Sequence, residues 1–522
     1  MASPSGPALP HPPLEGTARI WGTVALSAAT FMNVLDTSIA NVSLPSIAGD
    51  LGVSSNQGTW VITSFAVANA IAVPLTGWLS QRFGQVRLFM TSVMLFVITS
   101  WLCGLAPNMT VLIAARALQG FVAGPMIPLS QALLLSSYPK ALAGLAMAMW
   151  AMTTLVAPVM GPLLGGWITD NISWPWIFYI NIPVGFLATS IVWSIFRKRE
   201  SPTKSLPIDS VGLALLVVWV SSMQVMLDLG KEHDWFNSGM VQALAVIAVI
   251  GFLAFVAWEL TEKHPVVDLS LFQNRNFWAG AVAMSVGYGL FFGNVVLLPL
   301  WLQQYMGYTA TDAGMVMAPV GLLAIVLSPW VGKNVSKHDP RRFATIAFLV
   351  FALVLWMRSN FNTQASFGTI LIPTLVQGVA MAFFFIPLVT ITLSEMTPER
   401  IPAASGLSNF IRITAGAIGT SVATTVWENR ATLHHAQLAE SINQGNATAT
   451  GILSGLSTSG MDSQQALAQV NRLIDQQAFM LAANDVFYAS AAMFLLLIPL
   501  IWLAHAPKKG DAGASDAAAG AH

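Results

Sequence analysis

The sequence predicts an all-α polytopic membrane protein, and three observations predict it. Of 522 residues, 55% are hydrophobic and only 9% are charged, far below the roughly 25% charge usual in soluble domains. Apolar runs long enough to cross a bilayer recur fourteen times, given that ~20 helical residues span the ~30 Å hydrocarbon core. None shows the dyad alternation of a barrel strand, so each is expected to satisfy its backbone as a helix. The formal net charge of zero gives no footing for nucleic acid, and a single cysteine, Cys103, excludes a disulfide framework.

Taken in order, residues 1–17 are Pro-rich and lack the basic start and small-residue cleavage site of a signal peptide, and are expected to form a disordered cytoplasmic segment. A first six-helix bundle, 18–196, has spans at 18–43, 58–79, 86–106, 109–135, 142–168 and 174–196. A linker, 197–208, leads to two inserted helices within 209–258, at 209–229 and 238–258, and a second linker, 259–276, follows. The second six-helix bundle, 277–505, has spans at 277–303, 310–332, 343–360, 367–394, 402–427 and 483–505, with one long polar outer loop at 428–484. In that loop Leu467, Val470, Ile474, Ala478 and Leu481 share one helical face, able either to dock a periplasmic partner or to lie on the membrane surface. Residues 506–522 are expected to be a disordered cytoplasmic tail.

Lys and Arg are retained on the cytoplasmic side of short loops. With the N-terminus inside, seventeen of the 23 basic residues fall in inner segments, while Lys231, Arg358, Arg430 and Arg472 fall outside. Both termini are therefore expected in the cytoplasm. Arg116 and Arg412 lie within spans.

A weak repeat relates spans 1–6 to spans 9–14. The loop after span 2, Pro74 to Arg87, and the loop after span 10, Pro329 to Arg342, both place a base five and ten residues beyond a glycine: Arg82 and Arg87 after Gly77, Lys337 and Arg342 after Gly332. Gln119-Gly120 in span 4 matches Gln377-Gly378 in span 12. The repeat breaks at Asp36, matched by Leu290, and at Arg116, matched by Thr374, so charge is expected in the first bundle alone.

Asp36 in span 1 and Arg116 in span 4 both sit roughly 8–10 Å below the outer edge of the core, counting ~1.5 Å per residue. Charges so deep are costly and mark function. Burial favours a carboxyl's neutral form and an adjacent guanidinium its charged form, so changing the pairing would load and unload the acid. A buried carboxylate suits H⁺ or Na⁺. A fixed ion pair that only orients helices is the bland alternative.

In span 5, Ala157, Gly161 and Gly165 recur at four-residue spacing beside Pro158, Pro162 and Gly166, which suits close packing at a bend. The loop residues Gly77, Arg82, Gly84 and Arg87 serve either as a conformational motif or as positive-inside anchoring. Asn33, Asn69, Trp150, Phe291, Asn294, Phe384 and Asn409 are polar or aromatic positions on apolar spans and candidates for a substrate cavity; Arg412 is either structural or substrate-gating. A wide lining with few fixed polar groups would favour promiscuous, lipophilic ligands. Gly230-Lys231 and Gly332-Lys333 lack the upstream glycine of a phosphate loop, so an ion gradient is left to drive transport. No cofactor is expected, and no metal, since His434 and His435 are adjacent rather than spaced as ligands. An intramembrane enzyme would need paired acids within spans, and a channel a polar ring.

The stretches Leu35 to Pro45, Gly77 to Arg87, Arg116 to Gly120 (R-A-L-Q-G) and Gly161 to Gly166 (G-P-L-L-G-G) resemble the major facilitator superfamily, specifically its fourteen-span drug:proton antiporter branch. The likeness extends through Gln57 to Phe65, Val122 to Gln131 and Val266 to Phe272. It implies a major-facilitator fold of two six-helix bundles plus two inserted helices, and a proton-coupled exporter of lipophilic drugs in a Gram-negative inner membrane. It also implies work with a periplasmic adaptor of the EmrA type and an outer-membrane channel of the TolC type. The family's span 1 acid falls on Asp36 and its span 4 arginine on Arg116. One departure stands out: the loop motif usually has Asp where this chain has Gln81, which puts gating through the loop's own carboxylate in doubt.

Overall fold

The computed structural model describes residues 12–53, 58, 60–139, 142–204, 207–230, 233–308, 310–397, 399–440, 442 and 447–505. Segments 1–11 and 506–522, most of the expected disordered termini, lie outside the described residues, as do Lys140 and Lys231. In the first bundle the helices are α1 (Gly16–Asp50), α2 (Trp60–Ala72), α3 (Thr76–Phe83), α4 (Gln85–Gly104), α5 (Met109–Ala123), α6 (Met126–Ser137), α7 (Ala143–Asn171), the single turn α8 (Trp176–Tyr179) and α9 (Asn181–Phe196). The inserted pair is α10 (Ser210–Leu229) and α11 (Gly239–Thr261). The second bundle comprises α12 (Arg275–Tyr305), α13 (Ala310–Met317), α14 (Pro319–Val335), α15 (Pro340–Arg358), α16 (Phe367–Leu393), α17 (Ile401–Glu440), α18 (Ala447–Thr458) and α19 (Ser463–Trp502).

Short polar side chains start many of these helices by accepting an otherwise orphaned backbone N–H. Asn108 caps α5, Asp209 α10, Asn274 α12, Asp339 α15 and Ser366 α16. Between α2 and α3 the chain bends by 61° at Val73-Pro74-Leu75, where Pro74 brings no N–H.

Among the described residues, eleven helices are long and apolar enough to cross a membrane, or twelve if α2 and α3 form one bent span. The fourteen expected is not reached on that criterion. The two remaining, α7 and α17, are 29 and 40 residues long; Ser, Thr, Asn and Arg side chains along Ser405 to Thr425 lower the hydropathy of α17.

Glycines set the closest packing in both bundles. A Cβ on Gly161 of α7 would stand 2.3 Å from Ser38 Cβ of α1, and one on Gly165 would stand 3.2 Å from Ile39 O. In the second bundle, a Cβ on Gly289 of α12 would meet Ala415 O at 2.5 Å, and one on Gly419 of α17 would meet Gly289 O at 2.2 Å. The halves touch at the end that carries the basic loops. There a Cβ on Gly77 would stand 2.7 Å from Ala403 Cβ, and one on Gly144 2.4 Å from Gly332 O. The inserted pair packs through Gly251 on Trp219, whose ring meets Phe410 of α17 edge-on at 5.8 Å.

Two expectations need correction here. The polar outer loop is largely helical: α17 runs past 427 to Glu440, and α19 starts at Ser463, where Asp462 and Gln465 form a capping box. Of the five positions read as one helical face, Val470 and Ala478 are buried while Leu467 is 52% exposed, and Ala466, Met480, Ala482 and Ala483 are buried as well. Arg358, expected in an outer loop, is the last residue of α15 and wholly buried, its guanidinium turned inward to donate to Thr374 and Gln377.

Candidate functional site

Asp36 of α1 and Arg116 of α5 meet through their side chains and are 2% and 0% exposed. Arg116 Nη1 donates to Asp36 Oδ2 at 2.6 Å and to Gln119 Oε1 at 2.7 Å, and its Nε donates to Val61 O at 3.1 Å. The other carboxylate oxygen, Oδ1, accepts from Gln119 Nε2 at 3.2 Å and from Asn181 Nδ2 at 2.8 Å. Asn181 also donates to Ser100 Oγ, which donates to Phe178 O. Four helices, α1, α4, α5 and α9, therefore converge on one acid. The faces of Phe65 and Phe178 cover the guanidinium carbon at 4.3 and 5.5 Å. A separate apolar cluster that includes Leu35, Ile39, Leu112, Trp174 and Phe178 packs around this site.

The second bundle repeats the arrangement with one part changed. Gln377, in the register of Gln119, accepts from Arg358 Nη2 at 2.6 Å, and Thr374 Oγ1 accepts from the same nitrogen at 3.2 Å. The cation has moved one helix over. Arg358 follows Arg342 by sixteen residues, as Cys103 follows Arg87, and Cys103 Sγ likewise donates to Gln119 Oε1 at 3.5 Å. The expectation that charge lies in the first bundle alone is thus overturned for the cation. The repeat was legible at Gln119 and Gln377; the swap between neighbouring helices hid Arg358.

A model of the Major Facilitator Superfamily matches residues 26–420. The chain belongs to the major facilitator superfamily. It is a multi-pass membrane transporter and not an enzyme. The chain is 50% identical over 511 residues to the multidrug export protein EmrB of Escherichia coli K12, covering 98% of this chain and 99% of that one. To the fatty acid resistance protein FarB of Neisseria gonorrhoeae it is 49% identical over 503 residues, covering 96% and 99%. The structure superimposes on the human organic anion transporter MFSD10 (TETRAN) with a TM-score of 0.60 at 13% identity, covering 93% of this chain and all of that one, a likeness of fold.

Among the cavity candidates of this facilitator, the structure gathers Asn409 and Arg412 at the contact of the two halves. Asn409 Nδ2 donates to Gln131 Oε1 of the first bundle at 2.9 Å, and its Oδ1 accepts from Arg412 Nη2 at 2.7 Å. Tyr288 and Phe385 flank the Arg412 guanidinium at 4.6 and 5.7 Å. The others do not join them. Asn33 and Asn69 donate to backbone carbonyls of α5, Ala123 O and Gly120 O, each at 3.3 Å. Trp150 Nε1 donates to Ser130 Oγ at 3.1 Å. Asn294 ties Leu290 O to Ser490, while Phe291 and Phe384 both pack on Phe351 in the second core.

The loop motif is completed from elsewhere in the chain. Gly84, at φ +89°, leaves room for Glu200, whose carboxylate accepts from Val86 N and Arg87 N at 2.9 Å each and stands 3.9 Å from Arg87 Nε. Glu200 thus brings a carboxylate to a loop that has none of its own at Gln81. The Arg82 guanidinium lies over Trp78 at 5.4 Å. Gly166 meets nothing within 4 Å of its would-be Cβ, and the Pro158 and Pro162 side chains lie outside the described ones. Sequence reasoning also missed Asn181 and Gln131, which sit on apolar runs without any repeat to mark them.

Proposed function

We propose that this transporter is a proton-coupled exporter of lipophilic drugs, with Asp36 as the proton site and Arg116 as its counter-charge. The observation that carries this is the enclosure of one carboxylate by N–H donors. Arg116, Gln119 and Asn181 all donate to it, a shell suited to exchanging a proton and lacking the ring of oxygens sodium would need. Protonation removes the charge that holds Arg116, freeing α5 from α1. The α1–α7 contact at Ser38 and Gly161 lies two residues from Asp36, so a change there reaches the packing on which the bundles rock. Gly77, Arg82, Gly84 and Arg87, held by Glu200, brace the basic end while this happens.

The remaining assignments belong to the same proposal. Fourteen spans, with α7 and α17 counted among them, place both termini in the cytoplasm by the positive-inside distribution. The division into a first bundle, an inserted pair and a second bundle follows the repeat. The membrane is the bacterial inner membrane, and the cargo crosses between the halves past Arg412, Asn409, Tyr288 and Phe385. The likeness to a multidrug exporter and to a fatty acid resistance protein supports cargo that is apolar in bulk, including acids that a guanidinium would greet. An adaptor of the EmrA type would meet the outer extension of α17 and α19, and a TolC-type channel would complete the pump.

In a pump-deficient Gram-negative host, expression of this chain should lower drug accumulation several-fold, and collapse of the proton gradient should abolish the difference. Accumulation indifferent to the gradient would sink proton coupling; export undiminished without an adaptor gene would sink the tripartite assignment.

A further inference from the structure

We propose that Arg358 forms a binding site for a monovalent anion, of halide or carboxylate chemistry, in the second bundle. The guanidinium is wholly buried. Its Nη2 is used by Thr374 and Gln377, but among the described residues Nε and Nη1 have no acceptor and the guanidinium has no carboxylate partner. Buried polar groups are almost always partnered, and a buried charge with no counter-charge is among the costliest arrangements in a fold. The negative end of α15 offsets part of that charge. Its last carbonyls are nonetheless occupied, since Ser359 N donates to Leu355 O and Phe361 N to Arg358 O.

The first bundle shows what chemistry satisfies such a group. Arg116 and Gln119 lie seven and ten residues into α5, as Thr374 and Gln377 lie seven and ten residues into α16. In the first bundle a carboxylate completes the set, and Arg116 gives it the bond at 2.6 Å. In the second bundle the position of that carboxylate is Leu290, and among the described residues no other acceptor completes the set. Trp301 Nε1 is buried without an acceptor, and its ring stacks on Phe361, one turn past Arg358, at 6.0 Å and 13°. Both donors offer N–H to an acceptor and neither can accept, which selects an anion over a cation. This site does not depend on the proton role of Asp36.

The test uses the purified full-length protein in detergent, with ionic strength held constant by sulfate while sodium chloride, and in a second arm sodium decanoate below its micellar range, is raised from ~1 to ~100 mM. Thermal unfolding should shift upward by about 2–4 °C with a saturable dependence. Response to chloride marks an inorganic anion; response to decanoate alone marks the carboxylate of an amphiphile. Arg358→Gln should abolish the shift, and Trp301→Phe, which keeps the ring and removes the donor, should raise the half-saturating concentration several-fold. Should Arg358→Gln fail to fold, the wild-type titration and Trp301→Phe decide the matter. A flat response of the wild type to both anions, or a response untouched in both variants, overturns the proposal.

Discussion

At the scale of single residues, Asp36 accepts from three side chains on two other helices and is closed off from solvent. Taking away one partner of a buried pair strands the other, at about 3–5 kcal/mol. Asp36→Ala should therefore lower thermal stability clearly, and Asp36→Asn less, because an amide oxygen still accepts from Arg116. Lysine at position 116 keeps the charge but has one point donor where arginine reaches Asp36, Gln119 and Val61 O together. Arg116→Lys should slow drug-driven proton exchange at least tenfold in proteoliposomes with expression little changed; exchange at the wild-type rate would make Arg116 a bystander. These two residues were legible because a charge inside an apolar run is conspicuous. Asn181, which completes the shell, is not: an uncharged amide in a span costs little, and unlike Gln119 it has no counterpart in the repeat to mark it.

At the scale of helices, the account rests on glycine contacts and on one cap. Gly161 lets α7 touch α1 beside Asp36, and any Cβ there would stand 2.3 Å from Ser38. Gly161→Leu should cost about 1–3 kcal/mol by overpacking and reduce transport by an order of magnitude or more; full transport in that variant would separate this contact from the working cycle. Glu200 accepts from Val86 N and Arg87 N in the first turn of α4. Glu200→Ala should destabilise that terminus by about 1 kcal/mol, read as faster amide exchange at Val86 and Arg87 with α9 unaffected. The spacing of small residues in span 5 was visible in the chain, and the structure gives it a partner. Glu200 was not visible, since it lies more than a hundred residues from the loop it caps. Only folding brings the segment just past α9 back to α4.

For the whole molecule, the halves meet at the end bearing the basic loops, where Gly77 faces Ala403, Gly144 faces Gly332, and Gln131 accepts from Asn409. Cysteines at 77 and 403, in a Cys103→Ser background, should cross-link on mild oxidation after a shift of about 1 Å toward disulfide geometry. The link should stop transport, and reduction should restore it; undiminished transport by the linked protein would show that this end need not open. The repeat was legible at Gln119 and Gln377, each of which accepts from a buried arginine. What the repeat concealed is that related bundles put their cation on different helices, because a side chain reaching the same glutamine can start from either neighbour.

The central claim is that drug export is coupled to proton exchange at Asp36. The most direct measurement is proton release from lightly buffered, detergent-solubilised protein on adding a lipophilic cationic drug that it exports. Wild type should release about one proton per drug bound, and Asp36→Asn, folded and still able to bind, should release none. Undiminished release from that variant would contradict the account.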